Sequence, residues 1–167
     1  MSRRKQIEMS DEEVVAFLEQ ERTLTCATLG PRGWPHLMPL WYVLRAPPAG
    51  EPGPRVWAWT YAASQKVRNL ERDARATLQV EAGEEYQQLR GVSLESDVLV
   101  HREPELVAAL GEQIFARYAV PRGQPPPREL AQEVSAMVRA QAPKRVALEF
   151  RERRRATWDH RKLAGLY

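Results

Sequence analysis

The apolar positions fall into short runs of two different periods, and the alternation between them predicts a strand-rich chain with a few helices. The first organised element begins at Ser10-Asp11-Glu12-Glu13, where Ser10 caps free helix amides and Glu13, at the third helical position, closes a capping box. Val14, Val15, Phe17 and Leu18 give that short helix one apolar face. Residues 23–29 (TLTCATL) favour β structure and run into the turn Gly30-Pro31-Arg32-Gly33. Residues 34–44 (WPHLMPLWYVL) predict a second strand that returns as a hairpin. Pro35 and Pro39 sit inside it. Neither donates a ladder hydrogen bond, so they require an edge, a bulge, or a stretch where a ligand replaces the neighbouring strand.

A Pro/Gly loop at 46–54 precedes a short aromatic strand at 56–60 (VWAWT). Residues 63–70 have helical spacing, with Val67 and Leu70 on the buried side. Lys66 and Asn69, three apart, share a face and can reach one anionic group. Residues 76–81 (ATLQVE) predict a fourth strand, and 89–100 alternate through Val92, Leu94, Val98 and Val100. A helix over 103–118 would turn Leu106, Leu110, Ile114 and Phe115 inward. A turn-rich connection at 121–127 leads to a second helix over 128–141. The closing strand, 144–150 (KRVALEF), continues through a run of arginines to Thr157 and Trp158. The order shows no βαβ alternation, repeat or domain boundary. Six or so short strands predict one mostly-β domain over 1–167, an antiparallel barrel whose closure removes exposed edges.

Composition narrows this only slightly. With 43% apolar and 28% charged residues among 167, the chain has the makings of a real core. No apolar run approaches the roughly 20 residues of a membrane span. The basic start, residues 1–6, lacks the apolar stretch of a secretory signal. The one cysteine, Cys26, excludes an internal disulfide and makes a reducing cytoplasm the default. A net charge of +3 falls short of a nucleic-acid binder's basic stripe, and the densest basic stretch, 151–155, is interrupted by Glu152. That stretch reads as a solvated strand or a counter-charge in a dimer, with phosphate binding as the alternative.

Familiar catalytic templates are missing: G-x-G-x-x-G, a Walker loop, H-E-x-x-H and C-x-x-C do not occur. His36, His101 and His160 are too dispersed in sequence to define a metal site. Glu81 and Glu149, both on expected strands, are a weak candidate pair of carboxylates. The best local chemistry lies after the third strand, where Ser64 and Lys66 at a helix start combine amides, a hydroxyl and an ammonium suited to a terminal phosphate. A surface turn with a solvated lysine would look the same. Trp34, Trp41, Trp57, Trp59 and Trp158 supply flat apolar surface for a ring system, a core or a dimer seam.

Four stretches, in order, resemble a known family: TLTCATLGPRGWPHLMPLWY at 23–42, WTYAASQKVRNLERDARATLQVEAG at 59–83, LRGVSLES at 89–96 and ATWDHRKL at 156–163. The chain is similar to the pyridoxamine-phosphate-oxidase-like, FMN-binding split-barrel superfamily, and more narrowly to its branch that uses the deazaflavin F420. The resemblance implies a six-stranded split β-barrel with peripheral helices that forms a homodimer with two cofactor sites between subunits. Lys66 would meet the cofactor phosphate, helped by Ser64, Gln65 and Asn69. Met38, Pro39, Leu40 and Trp41 would run beside the ring, and Thr60, Tyr61 and Ala62 would flank the ribityl chain. Trp158 and Lys162 would reach the site from the partner chain.

The implied activity is hydride transfer between reduced F420 and a small conjugated or unsaturated acceptor, with Tyr61 and His160 as candidate proton donors. Arg68, Arg72 and Arg90 are compatible with the polyglutamate tail of F420. An FMN-binding oxidoreductase is the alternative, and a non-catalytic flavin or haem carrier, with His36 as axial ligand, the reading from another class. The WDHRKL tail resembles the F420 branch rather than the substrate-binding tail of authentic pyridoxamine-phosphate oxidase. No metal, nucleic acid or membrane partner is expected.

Overall fold

The structure is a computed structural model that describes residues 3–50, 53–119, 121, 124 and 127–163. A short helix, α1 (Arg3–Gln6), precedes α2 (Asp11–Gln20), which opens with the expected capping box. Glu13 N–H donates to Ser10 Oγ (3.3 Å), and Ser10 N–H donates to Glu13 Oε2 (2.7 Å). Val14, Phe17 and Leu18 are buried beneath it. The hairpin follows as β1 (Leu24–Leu29) and β2 (Pro35–Leu40), with Gly33 at φ +82° in the turn, a backbone state glycine adopts without strain.

The second strand does not run to residue 44 as the apolar pattern predicts. It ends at Leu40, and β3 (Tyr42–Arg45) begins after a single residue, Trp41. Leu40 is opposite Leu24 of β1, whereas Tyr42 is opposite Ala58 of β4 (Arg55–Tyr61), so the chain changes neighbours at this point. Side chains from a later helix serve the backbone there: Tyr42 N–H donates to Tyr118 Oη (3.0 Å), and Arg117 Nη1 donates to the Tyr42 carbonyl (2.7 Å). Periodicity carries no sign of such a break, because both halves remain apolar.

After β4 come α3 (Gln65–Arg72), β5 (Arg75–Ala82), β6 (Arg90–His101), α4 (Pro104–Tyr118), α5 (Arg128–Gln141) and β7 (Arg145–Asp159), with short 3-10 turns beside β6 and at both ends of β7. The sheet order is β2-β1-β5-β6-β7-β4-β3, every pair antiparallel. Its two outer strands are therefore consecutive in the chain. Counted as one bent strand, β2 and β3 bring the two edges of a six-strand barrel together, which reconciles seven segments with the expected six. Pro35 and Pro39 lie on β2, whose outer side has no strand partner, so their missing N–H groups break no ladder.

The barrel interior is filled by Leu24, Cys26, Leu78, Val92, Leu148 and Phe150, capped by Phe17 of α2 and Val67 of α3. A second apolar cluster lies outside, where α4 and α5 cover Val43, Trp59 and Ala147. Residues 146–150 are thus buried on both faces, which explains the unbroken VALEF run. Its one charge, Glu149, accepts from His101 Nε2 (2.8 Å) and from Arg55. Burial pushes that carboxyl's pKa up, but these two hydrogen bonds outweigh it and hold it below the usual range. Glu81 is opposite Gly91 and Glu149 opposite Leu99, at different ends of β6, so the candidate carboxylate pair is not formed.

The inward face of α4 is turned slightly from expectation: Val107, Ala108, Leu110, Gly111 and Ile114 are buried, while Leu106 and Phe115 are only half-buried. Gly111 faces inward where Val138 of α5 and the Trp59 indole press closest, at 2.7 and 3.0 Å from where a Cβ would lie. The basic stretch of β7 is mostly ion-paired: Arg153 with Asp97 (2.5 Å), and Arg155 with Glu152 (2.6 Å) and Asp11 (3.0 Å). The connection at 121–127 lies largely outside the described residues, and the 46–54 loop partly so. No described helix is long and apolar enough to cross a membrane.

Gly91 marks the tightest contact in the sheet. A Cβ there would overlap the Trp158 indole and lie 2.8 Å from the Val80 carbonyl oxygen. Gly91→Val is expected to lower stability by about 1–3 kcal/mol through overpacking. A urea unfolding midpoint indistinguishable from that of the parent chain would show that Trp158 swings away freely.

Candidate functional site

The chain leaves β4 through a tight turn in which Ser64 N–H donates to the Tyr61 carbonyl (3.1 Å), and Ala62 N–H donates to the Lys144 carbonyl (3.0 Å). Ser64 is the N-cap of α3 in extended conformation, yet its Oγ makes no capping bond. That hydroxyl is buried with no partner. Two residues on, Lys66 is only 7% exposed, and its ammonium donates to Thr60 Oγ1 at 3.0 Å. No carboxylate pairs with it among the described residues. Burial depresses its pKa, with the nearby Cys26 thiol opposing this and the Arg145 guanidinium adding to it.

Asn69, expected beside Lys66 on a ligand-facing side, is fully buried. Its Nδ2 donates to Thr28 Oγ1 (3.0 Å), and its Oδ1 accepts from Gln65 Nε2 (2.8 Å). In this chain Asn69 ties α3 to β1, and Gln65 braces it. The face shared by Lys66 and Asn69 is the inner one, because the turn after Tyr61 lays α3 against the barrel.

Antiparallel pairing of β4 with β7 sets Arg145 opposite Tyr61. Its guanidinium lies 3.5 Å from the Tyr61 ring centre and 4.4 Å from that of Trp59. One nitrogen donates to Gln141 Oε1 (2.8 Å), while Nε is buried without a partner, as is Trp59 Nε1. Arg145 too has no carboxylate partner among the described residues, and burial lowers its pKa. Beside it opens a cavity of about 400 Å³, walled by Trp41, Trp59, Phe115, Ile114 and Leu40 and floored by Thr60. Trp41 stacks on Tyr118 (4.5 Å, 10°) and meets Phe115 edge-on. Lys66 lies behind Thr60 and does not line this cavity, which offers one cation, Arg145, and the rings of Trp41, Trp59 and Phe115.

A second hollow, about 430 Å³, lies over β1, β5 and β6. Asp73 pairs there with Arg75 and Asp97 with Arg153, and Glu95 adds a further carboxylate, so the hollow does not favour an anion.

Of the residues expected at the ring, Pro39, Leu40 and Trp41 line the cavity with Thr60, while Met38 is exposed on β2. Tyr61, half-exposed, and Ala62, Ser64, Gln65 and Lys66 follow directly. The C-terminal residues lie elsewhere in the same chain, at the far end of the 15-residue β7. Trp158 packs on Gly91, and His160 Nδ1–H donates to the Tyr86 carbonyl (2.8 Å). Lys162 donates to the Glu8 carbonyl (2.6 Å) and to Glu13 (2.5 Å). One chain therefore does not bring Tyr61 and His160 together. Arg145 and Thr23 carried no site expectation, and Ile114 and Phe115 were expected only as inward helix positions, not as cavity walls. The one signal for Arg145 is a charge placed directly before the apolar VALEF run. His36 is half-buried on β2 opposite Thr28, and among the described residues no three His, Cys, Asp or Glu side chains gather as metal ligands.

An antiparallel barrel with its edges joined by one bent strand, and an aromatic cavity beside that bend, defines a split barrel. The family model for pyridoxamine 5'-phosphate oxidase matches residues 10–150, and the chain belongs to that family. Among solved structures it is similar to the conserved hypothetical protein Rv2991 from Mycobacterium tuberculosis, with 36% identity over 100% of this chain and 95% of that one, TM-score 0.80. An F420 reductase shares the fold at 20% identity, covering 84% of this chain and 93% of that one, TM-score 0.59. So does HutZ, the heme storage protein from Vibrio cholerae, at 17% identity over 87% and 92%, TM-score 0.59. No curated protein matches the chain significantly.

Proposed function

We propose that this protein is an oxidoreductase that transfers a hydride between reduced F420 and a small conjugated or unsaturated organic acceptor, working as a homodimer. The observation that carries the reading is Lys66, a nearly buried cation left without a carboxylate among the described residues, beside the orphaned Ser64 hydroxyl at the start of α3. These residues fit a phosphorylated ring cofactor. Ser64 Oγ, the first amides of α3 and the Lys66 ammonium would hold its phosphate. Met38 and Pro39 on β2 would run beside its ring, and Thr60 keeps Lys66 aimed. When bound, the deazaflavin supplies the two-electron reducing power. The chain supplies position, exclusion of water and, at Tyr61 Oη, a proton.

The exposed apolar side chains of Leu29, Trp34 (76% exposed) and Leu37, on and beside the unpaired edge of β2, support a second copy covering that edge. Such a copy would bring its own C-terminal segment, with Trp158, His160 and Lys162, to the groove.

Calorimetric titration of the purified protein with F420 and, separately, with FMN tests the cofactor. Saturable F420 binding at one site per chain is expected. Tight FMN binding without F420 binding would make it an FMN-dependent oxidoreductase of the same fold. Binding of neither, with a Soret band on adding haem, would replace catalysis by haem carriage.

A further inference from the structure

We propose that the cavity under α4 is the acceptor pocket and that it takes a flat conjugated carboxylic acid, whose carboxylate is received by Arg145. This rests on the oxidoreductase reading and names the class of its substrate. Arg145 is the one charged side chain among the described residues lining the cavity. Its guanidinium is held in place by Tyr61 on one side and Trp59 on the other, and it gives only one hydrogen bond, to the neutral Gln141 side chain. Its other terminal nitrogen, Nη1, has no protein partner among the described residues and is not closed off, whereas its Nε and Trp59 Nε1 are shut away from any ligand. A site with spare donors, one cation and no acidic neighbour favours an anion, and a planar guanidinium matches a planar carboxylate.

The walls set the rest of the ligand. Trp41, Trp59 and Phe115 present rings, with Leu40 and Ile114 filling between them, and about 400 Å³ accommodates a two- or three-ring body. The location is equally pointed. Thr60 lines the cavity and also accepts from the Lys66 ammonium at 3.0 Å, so the acceptor and the cofactor would occupy neighbouring sites. Two anionic ligands side by side require two separate cations, and the structure provides Lys66 for one and Arg145 for the other.

The test uses 2-naphthoate and its neutral analogue 2-naphthamide as probes, measured by calorimetry with and without saturating cofactor. Naphthoate is expected to bind at least about tenfold more tightly than the amide, the margin of a charge-assisted pair over a neutral one. Arg145→Gln should remove that preference while leaving the amide's affinity unchanged, and Arg145→Lys should restore part of it. Phe115→Ala should weaken both probes equally, which keeps the test decisive if the Arg145 variants fold poorly. Equal binding of the two probes to the parent protein would overturn the proposal, and so would an unchanged preference in Arg145→Gln. Displacement of naphthoate by the cofactor would also overturn it, since the cavity would then be the cofactor's own. If neither F420 nor FMN binds while naphthoate binding still depends on Arg145, the oxidoreductase reading falls and the carboxylate site stands.

Discussion

Lys66→Met is expected to cost the protein its cofactor affinity while making the ligand-free chain more stable. The ammonium is nearly buried, has no carboxylate partner, and is held by a single neutral hydroxyl. Burial lowers its pKa, so in the window between that lowered value and the ordinary lysine value near 10.4 the unfolded chain binds more protons than the folded one. Stability of the parent relative to Lys66→Met should therefore rise as pH rises through this window, while the buried Cys26 thiol, pushed up to about 12, contributes an opposite slope to both chains. Below the window the full penalty of burying the charge applies. Methionine removes the penalty and the slope together. The Thr60 hydroxyl loses its donor, which offsets part of the gain and leaves about 1 kcal/mol at neutral pH.

Cofactor binding should move the other way. A phosphate that loses a charge-assisted hydrogen bond loses roughly 10- to 100-fold in affinity. Urea unfolding from pH 7 to 10, beside calorimetric titration with the cofactor, reads both effects. A variant less stable than its parent would show that Lys66 is a structural bond rather than a reserved charge.

Arg117→Ala should produce the largest loss of stability, about 3 kcal/mol, comparable to breaking a buried charged network. From the last turn of α4, this guanidinium donates to the carbonyls of Leu18 (2.9 Å), Glu19 (3.1 Å) and Glu21 (2.7 Å) at the end of α2, and of Tyr42 (2.7 Å). The end of a helix leaves carbonyls without partners, and here the two N–H groups of Arg117 Nη2 and the Tyr42 hydroxyl together serve three of them. It also lies over the Tyr42 ring at 4.6 Å. Arg117→Lys should rescue little, because an ammonium cannot span both the helix end and the strand. Tyr118 follows directly and stacks on Trp41, so the alanine variant should also weaken cofactor binding through a looser wall. A shift in the urea midpoint worth less than 1 kcal/mol, with unchanged slope, would show that water replaces the guanidinium at these carbonyls.

Much of this fold is legible along the chain because local rules and the final environment agree. The Ser10/Glu13 capping box forms as the spacing predicts, α5 occupies 128–141 as expected, and the VALEF run is buried on both faces. Pro35 and Pro39 correctly signalled an unpaired strand side. The break at Trp41 was not legible, since it depends on Tyr118 and Arg117 supplying hydrogen bonds from far along the chain. The inner face of α4 was misjudged for a similar reason: Gly111 is inward against Val138 and Trp59, partners that no helical period reveals.

The site divides in the same way. Ser64 and Lys66 were visible as an anion anchor because a hydroxyl and an ammonium at a helix start are neighbours in sequence. Their burial was not visible, nor the fact that Asn69 is occupied by Thr28. Arg145 joins the site only because β7 pairs antiparallel with β4, which sets it opposite Tyr61 across 84 positions of sequence. By itself the sequence determined the strands, the helix caps and the chemistry carried by adjacent residues, because these follow from interactions within a few positions. Only the tertiary structure decided which cations are left without partners and which rings wall the cavity, since both depend on strand register and on what packs over the sheet.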